Sequence, residues 1–222
     1  MHDARRPSDS DDRYPGYDVL AKWSGPSWNE KTREVISRRL ALAPEPKFFT
    51  AEEFATVTAI AARIIPQPLG RPPVPIAALV DHKLDHAIMD GYRGSGMARD
   101  GEAWRVGLKA LDAEATRAYG MRFSALSEPL QDVLLRRAEA GELKAPEWSG
   151  MRSHDFFKMR MARDIVLAYY AHPTAWSEIG WGGPASPRGY VRLDFGERDP
   201  WEAAEAKQGH EDKARRSNRH VR

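Results

Sequence analysis

KFFTAEEFATVTAIAARIIP, residues 47–66, is the stretch from which the fold class follows. Thr50 and Glu53 stand at capping-box spacing. The threonine oxygen can accept from the amide of residue 53, and the Glu53 carboxylate can return to the amide of Thr50, which satisfies two of the donors left open at a helix start. Phe49 and Phe54 occupy the positions of a hydrophobic staple across the same start. Phe54, Val57, Ile60 or Ala61, and Ile64 then recur on one face, and Pro66 stops the run. The spacing predicts an amphipathic helix over 51–65, whose apolar face needs covering by further elements.

The same period recurs on both sides. Ser27 with Glu30 predicts a helix over 28–42, with Thr32, Val35, Ile36, Arg39 and Leu40 along its stripe and Pro44 and Pro46 beyond it. Before it lies a polar arm, 1–26, read as largely disordered. A proline-rich connector over 66–75 leads to a helix over 76–92, with Ile76, Leu79, Val80, Leu84, Ala87 and Ile88 inward. After a glycine-rich loop, Trp104, Leu108, Leu111, Ala115 and Tyr119 mark a helix ended by Gly120. Ser127 and Pro129 open another over 128–140, which Gly141 ends. The last, 153–171, is apolar on more than one face. The fold class is all-α: a single compact domain of about six helices over 27–201, with an irregular aromatic, Gly/Pro-rich C-terminal arm and a charged, disordered tail over 202–222.

Composition narrows the chemistry. The 222 residues carry a net charge of only +2, with acidic and basic groups interspersed, so a nucleic-acid-binding field is absent. There is no cysteine, which excludes disulfides, thiolate catalysis, iron–sulfur ligation and covalent haem attachment. No apolar run is long enough to span a bilayer. Arg5 and Arg6 are followed by Pro7, Ser8 and Asp9 rather than an apolar core, so the pair does not read as an export signal. Any compartment beyond the cytoplasm is then reached with a partner's help.

Glycine-rich phosphate loops, GxSxG turns and HExxH zinc motifs are all missing, and no residue is assigned a catalytic or cofactor-binding role. His82 and His86 stand four apart beside Asp81 and Asp85, a spacing that can share a metal and equally reads as a solvated helix face. Arg160 and Asp164, with Arg163 beside them, lie in an apolar helix. They should pair with each other or with a partner, the sharper alternative being a catalytic role. Residues 169–190, YYAHPTAWSEIGWGGPASPRGY, are too punctuated by Gly and Pro to continue that helix and too apolar for a loose tail. Trp176, Ile179, Trp181, Pro184, Arg188 and Tyr190 read as partner contacts, with Gly182 and Gly183 letting a backbone approach. The bland reading is that these rings cover the chain's own helices. Val191, Leu193 and Phe195 alternate like a strand that has no partner in the sequence.

Residues 47–66, LKALDAEATRAYGMRFSALSEPLQDVLL at 108–135, HDFFKMRMARDIVLAYYAHP at 154–173 and the run from Tyr169 to Pro184 together resemble the gluconate 2-dehydrogenase subunit 3 family over about 47–201. The resemblance implies a non-catalytic small subunit that binds, stabilises and helps export a flavoprotein of the glucose-methanol-choline oxidoreductase type. That partner carries FAD and oxidises a sugar, sugar acid or alcohol, often with a cytochrome c subunit taking the electrons. It further implies a hetero-oligomer that is periplasmic or held at the inner membrane through its partner, and cytoplasmic where the partner is not exported. Many relatives carry a twin-arginine signal, which Arg5 and Arg6 do not reproduce here. The competing reading is a free-standing metal-binding or enzymatic helical protein using the His82/His86 face.

Overall fold

Side-chain caps open three of the α-helices, at Asn29, Thr50 and His172. The computed structural model describes residues 12–91, 94, 96–185, 189 and 198–221, and among them the regular structure is helical, with no strand. In chain order the elements are α1 Glu30–Leu40, α2 Ala51–Ile64, α3 Ile76–Asp85, α4 Asp100–Tyr119 and α5 Glu128–Glu139. There follow α6 Ser153–Phe156, a π-helical segment Phe157–Ala162, α7 Arg163–Tyr170, α8 Pro173–Glu178 and α9 Glu211–Asn218. Val191, Leu193 and Phe195, read as strand-like, lie outside the described residues.

Thr50 caps α2 as its spacing predicts: its Oγ1 accepts from Glu53 N at 3.2 Å, while Thr50 N donates to Glu53 Oε2 at 2.9 Å. Gly120 and Gly141 follow α4 and α5 with φ of 72° and 73°, the left-handed turn that glycine makes without strain. Elsewhere the boundaries differ from expectation. Asn29 rather than Ser27 caps α1, its side chain accepting from Thr32 N at 2.9 Å, and Ser27 is buried. The helix read over 76–92 ends at Asp85, because Ala87 turns to φ 48°. The helix read over 153–171 is interrupted by the π segment. The charged stretch read as a disordered tail holds α9, whose Asn218 is buried and donates through its amide to Pro15 O and Ala204 O.

The helices group into two compact units. One comprises Ala43–Pro66 and Pro75–Ala168. Trp104 of α4 is at its centre, fully buried and edge-to-face with Phe49 at 5.8 Å and Phe156 at 5.5 Å between ring centroids. Val57, Ile60, Leu108, Leu111, Leu134, Met161 and Ile165 complete the core. Each such side chain contributes about 1.5–3 kcal/mol when fully buried. The other unit comprises Met1–Leu42, Gln67–Val74 and Tyr169–Arg222, with Tyr17, Val19, Trp28, Ile36, Trp176 and Val221 as its core. Within the connector, Gln67 donates to Val74 O and accepts from Val74 N, so one side-chain amide closes the loop.

Gly107 is the tightest point of the first core. A Cβ there would lie 2.2 Å from Phe156 Cζ, and the Phe156 ring is held between Trp104 and Trp148. Gly107→Ala should therefore lower unfolding free energy by about 2–3 kcal/mol through overpacking, read as a shift in the denaturant midpoint. An unshifted midpoint would mean that the ring can move aside at no cost.

Candidate docking site

Tyr169 and Tyr170 close α7, and two residues later the chain starts α8. Pro173 takes the first helical position, where its missing amide is not needed, and His172 serves as N-cap, its Nδ1 accepting from Thr174 N at 3.2 Å. Accepting that bond requires Nδ1 to be unprotonated. Burial, and then the nearby Arg39 charge, hold the imidazole below its ordinary value of 6.5. Tyr169 OH donates to the Glu178 carboxylate, and burial followed by that carboxylate pushes the phenol's pKa up.

Trp176 is 2% exposed and forms part of the core, which corrects its reading as a surface contact. Its Nε1 donates to Tyr170 O at 2.6 Å. Ser177 Oγ accepts from Val19 N at 3.1 Å and donates to Pro173 O at 3.0 Å, so the underside of α8 is fixed as well. Gly180 then turns with φ 69°, and a Cβ there would lie 2.6 Å from the Tyr14 ring. Trp181 folds back over Trp176: its amide donates to Trp176 O at 2.9 Å, and the rings meet edge-to-face at 4.9 Å. Lys22 Nζ donates to Gly182 O at 2.9 Å. Gly183 is buried, and a Cβ there would stand 3.2–3.3 Å from Trp28, Trp176 and Val19. Gly182 and Gly183 thus admit the chain's own side chains.

What this base presents outward is Trp181 at 40% exposure, Ile179 at 44% and Tyr170 at 46%, with Pro184 partly exposed. Arg188 and Tyr190 lie outside the described residues. One residue not singled out from sequence joins the group. Arg39, on the α1 stripe, donates to Ala171 O at 2.8 Å and sits 6.0 Å from the centroid of the Trp176 ring. Its signal was a cation placed three residues after Ile36 on an otherwise apolar face.

The other sequence candidates lie in the unit built on Trp104. His82 and His86 stack at 4.0 Å between centroids, and burial, then His86, lower the pKa of His82. Asp81 is turned inward, a correction to its place on their face. Its carboxylate accepts from the amides of Lys47, Phe48 and Phe49, at 2.8–3.1 Å. No group of three or more potential ligands forms a metal site among the described residues.

Arg160 and Asp164 are both closed into a balanced charge network. Arg160 is fully buried, with Nη1 at 3.2 Å from Asp90, 3.1 Å from Asp100 and 3.8 Å from Asp164. Lys83 donates to Asp90 at 2.9 Å and Asp164 at 2.8 Å, Trp104 Nε1 donates to Asp164 at 2.7 Å, and Arg163 lies 3.6 Å from Asp90. Burial opposes the ionisation of both Asp90 and Lys83. The opposite charges outweigh it, so Asp90 is held below the usual carboxylate range and Lys83 above its own. Three cations face three carboxylates, an arrangement that clamps α3, α4 and α7 together.

Asp164→Asn would leave Lys83 and Arg160 short of a counter-charge and should cost about 3–5 kcal/mol of stability, whereas Lys31→Gln in an exposed pair should cost no more than about 0.5 kcal/mol. Equal midpoints for the two variants would contradict a clamp. For His172 the depressed pKa means that its share of stability is complete above pH 6.5 and is lost as pH falls through the folded-state value. His172→Asn keeps a capping side chain without the titration. Its melting temperature should therefore fall less than that of the unaltered chain between pH 7 and pH 5, and parallel curves would contradict the assignment.

A family model described as gluconate 2-dehydrogenase subunit 3 matches residues 51–183. No curated protein and no solved structure matches the chain. The matched span begins at the first residue of α2 and ends at Gly183, packed against Trp28 and Trp176, so it takes in the whole α8 turn. It covers more than half of the sequence, and the chain belongs to the gluconate 2-dehydrogenase subunit 3 family, the accessory subunits of gluconate 2-dehydrogenase complexes.

Proposed function

We propose that this chain is the non-catalytic small subunit that binds and stabilises a flavoprotein dehydrogenase of the glucose-methanol-choline oxidoreductase type. The partner holds FAD and oxidises a sugar, sugar acid or alcohol, and a cytochrome c subunit is a further member of the assembly. The observation that carries this reading is the family match over residues 51–183. The chain sits with its partner at the periplasmic side of the inner membrane where the assembly is exported, and in the cytoplasm where it is not. Among the described residues no helix is long and apolar enough to cross a membrane.

In this reading Trp181 and Ile179 enter the interface and Tyr170 borders them. Their contribution comes from apolar area removed from water and from being held in place beforehand. Trp181 is fixed to Trp176 by both a backbone bond and a ring contact, so little freedom remains to be lost on association. Large aromatic side chains on a rigid base are the groups that dominate measured interface energetics.

Trp181→Ala should weaken capture of the flavoprotein subunit by about 2 kcal/mol or more, roughly 30-fold in Kd, while Trp181→Phe retains most of the affinity. Titration calorimetry with the purified flavoprotein reads this directly. Unchanged affinity in the alanine variant would remove Trp181 from the interface.

A further inference from the structure

Arginine carries five N–H donors and keeps its charge at every physiological pH, so a guanidinium drawn out of water needs acceptors and a counter-charge. Arg71 and Arg63 have both, and Arg33, also partly buried, has acceptors alone among the described residues, the carbonyls of Trp23 and Trp28. Arg71, whose side chain is 14% exposed, donates to both Asp12 oxygens at 3.0 and 3.1 Å and to the carbonyls of Tyr14 and Tyr17. Arg63, also 14% exposed, holds Asp132 through two bonds of 2.7 and 2.8 Å and Glu128 through a third. Arg160 has its counter-charge in three carboxylates, all reached through Nη1, while its Nε and Nη2 make no hydrogen bond among the described residues.

Arg39 is partly buried and differs. It makes a single hydrogen bond, to Ala171 O at 2.8 Å, and pairs with no carboxylate among the described residues. Burial alone acts on its ionisation, pushing its pKa down. The Trp176 ring, at 6.0 Å, is at the outer limit of a cation–π contact and supplies little compensation. His172 beside it is buried and neutral, capping α8 through an unprotonated nitrogen, so Arg39 stands as a single cation rather than as part of a basic cluster.

Its position ties it to the docking surface. Trp176 is the ring under Arg39, the donor to Tyr170 O and the support of Trp181, and Leu40, next to Arg39 on α1, is 43% exposed. We propose that Arg39 is the polar anchor of this surface and receives one Asp or Glu carboxylate of the dehydrogenase subunit, seated among apolar side chains of that subunit. The proposal rests on the docking function above and adds the chemistry of the partner's contact. One open cation ringed by aromatic and aliphatic groups matches a single carboxylate. A phosphate or an anionic lipid surface calls for several cations together.

The experiment measures binding of the purified flavoprotein subunit to the full chain, unaltered and with Arg39→Met or Arg39→Lys, at low and high salt. Arg39→Met should weaken binding roughly 30-fold or more and flatten its salt dependence, with Arg39→Lys intermediate because an ammonium cannot make the paired contact. The isolated Arg39→Met chain should melt at the same or a higher temperature, since it no longer holds an uncompensated charge; a purely structural arginine would give a lower one. Replacing the matching acidic residue of the flavoprotein by Ala should reproduce the loss and add nothing when combined with Arg39→Met. If the unaltered chain fails to bind the flavoprotein, the docking function itself is wrong. If it binds and Arg39→Met binds equally well, the anchor is wrong and the docking function stands. Binding of the unaltered chain to phosphatidylserine vesicles, lost in Arg39→Met, would overturn the carboxylate in favour of a lipid headgroup.

Discussion

Burial of Trp176 is the constraint on which the proposed working surface depends. An indole removed from water must place its N–H, and here the acceptor is the carbonyl of Tyr170, six residues earlier, so the turn between α7 and α8 is tied to the ring it encloses. The same ring is backed by Tyr17, Val19, Trp28, Ile36 and Val221, which brings the two ends of the described chain into one core. Lys22 on the Gly182 carbonyl and Ser177 on the Val19 amide add fixed points from separate parts of the sequence. Ile179 and Trp181 therefore project from a backbone that is already determined, the condition under which exposed apolar groups bind with little loss of freedom.

Charge is handled in two ways. Around Trp104, three carboxylates and three cations balance in charge inside the unit and hold α3, α4 and α7, although Arg160 Nε and Nη2 make no hydrogen bond there among the described residues. Beside Trp176, Arg39 is drawn partly out of water with one backbone acceptor. A buried pair that is complete makes a scaffold rigid at little net gain, whereas an incomplete one is a standing cost that a partner can relieve. Exposed apolar side chains such as Leu69, Met89 and Leu167 occur in both units, so hydrophobicity alone does not mark the proposed docking surface.

Features set by neighbours in sequence were legible in advance. Thr50 and Glu53, Gly120, and Pro129 with Gly141 act within one or two turns, and the helices they bound lie where their spacing puts them. What depended on distant residues was not. Pro173 reads as a helix breaker until His172 is seen to cap the turn that it opens. Trp176 and Trp181 are alike in sequence, and only the packing of residues 17–36 and 221 sends one inward and leaves the other out. Asp81 belongs by spacing with His82 and Asp85, yet three amides at residues 47–49 draw it inside. Arg39 gave the weakest signal of all, since a charge on a helix stripe is ordinary unless its neighbours are known. The family resemblance, by contrast, was carried by contiguous runs and needed no tertiary information.

The most direct measurement is native mass spectrometry of the untagged chain released gently from its own cells, with flavin absorbance and dehydrogenase turnover followed in the same fractions. An accessory subunit appears at the mass of an assembly that contains a flavoprotein, and turnover stays with the flavoprotein when the two are separated. A solitary species near 25.0 kDa that oxidises substrate without a companion would contradict the central claim.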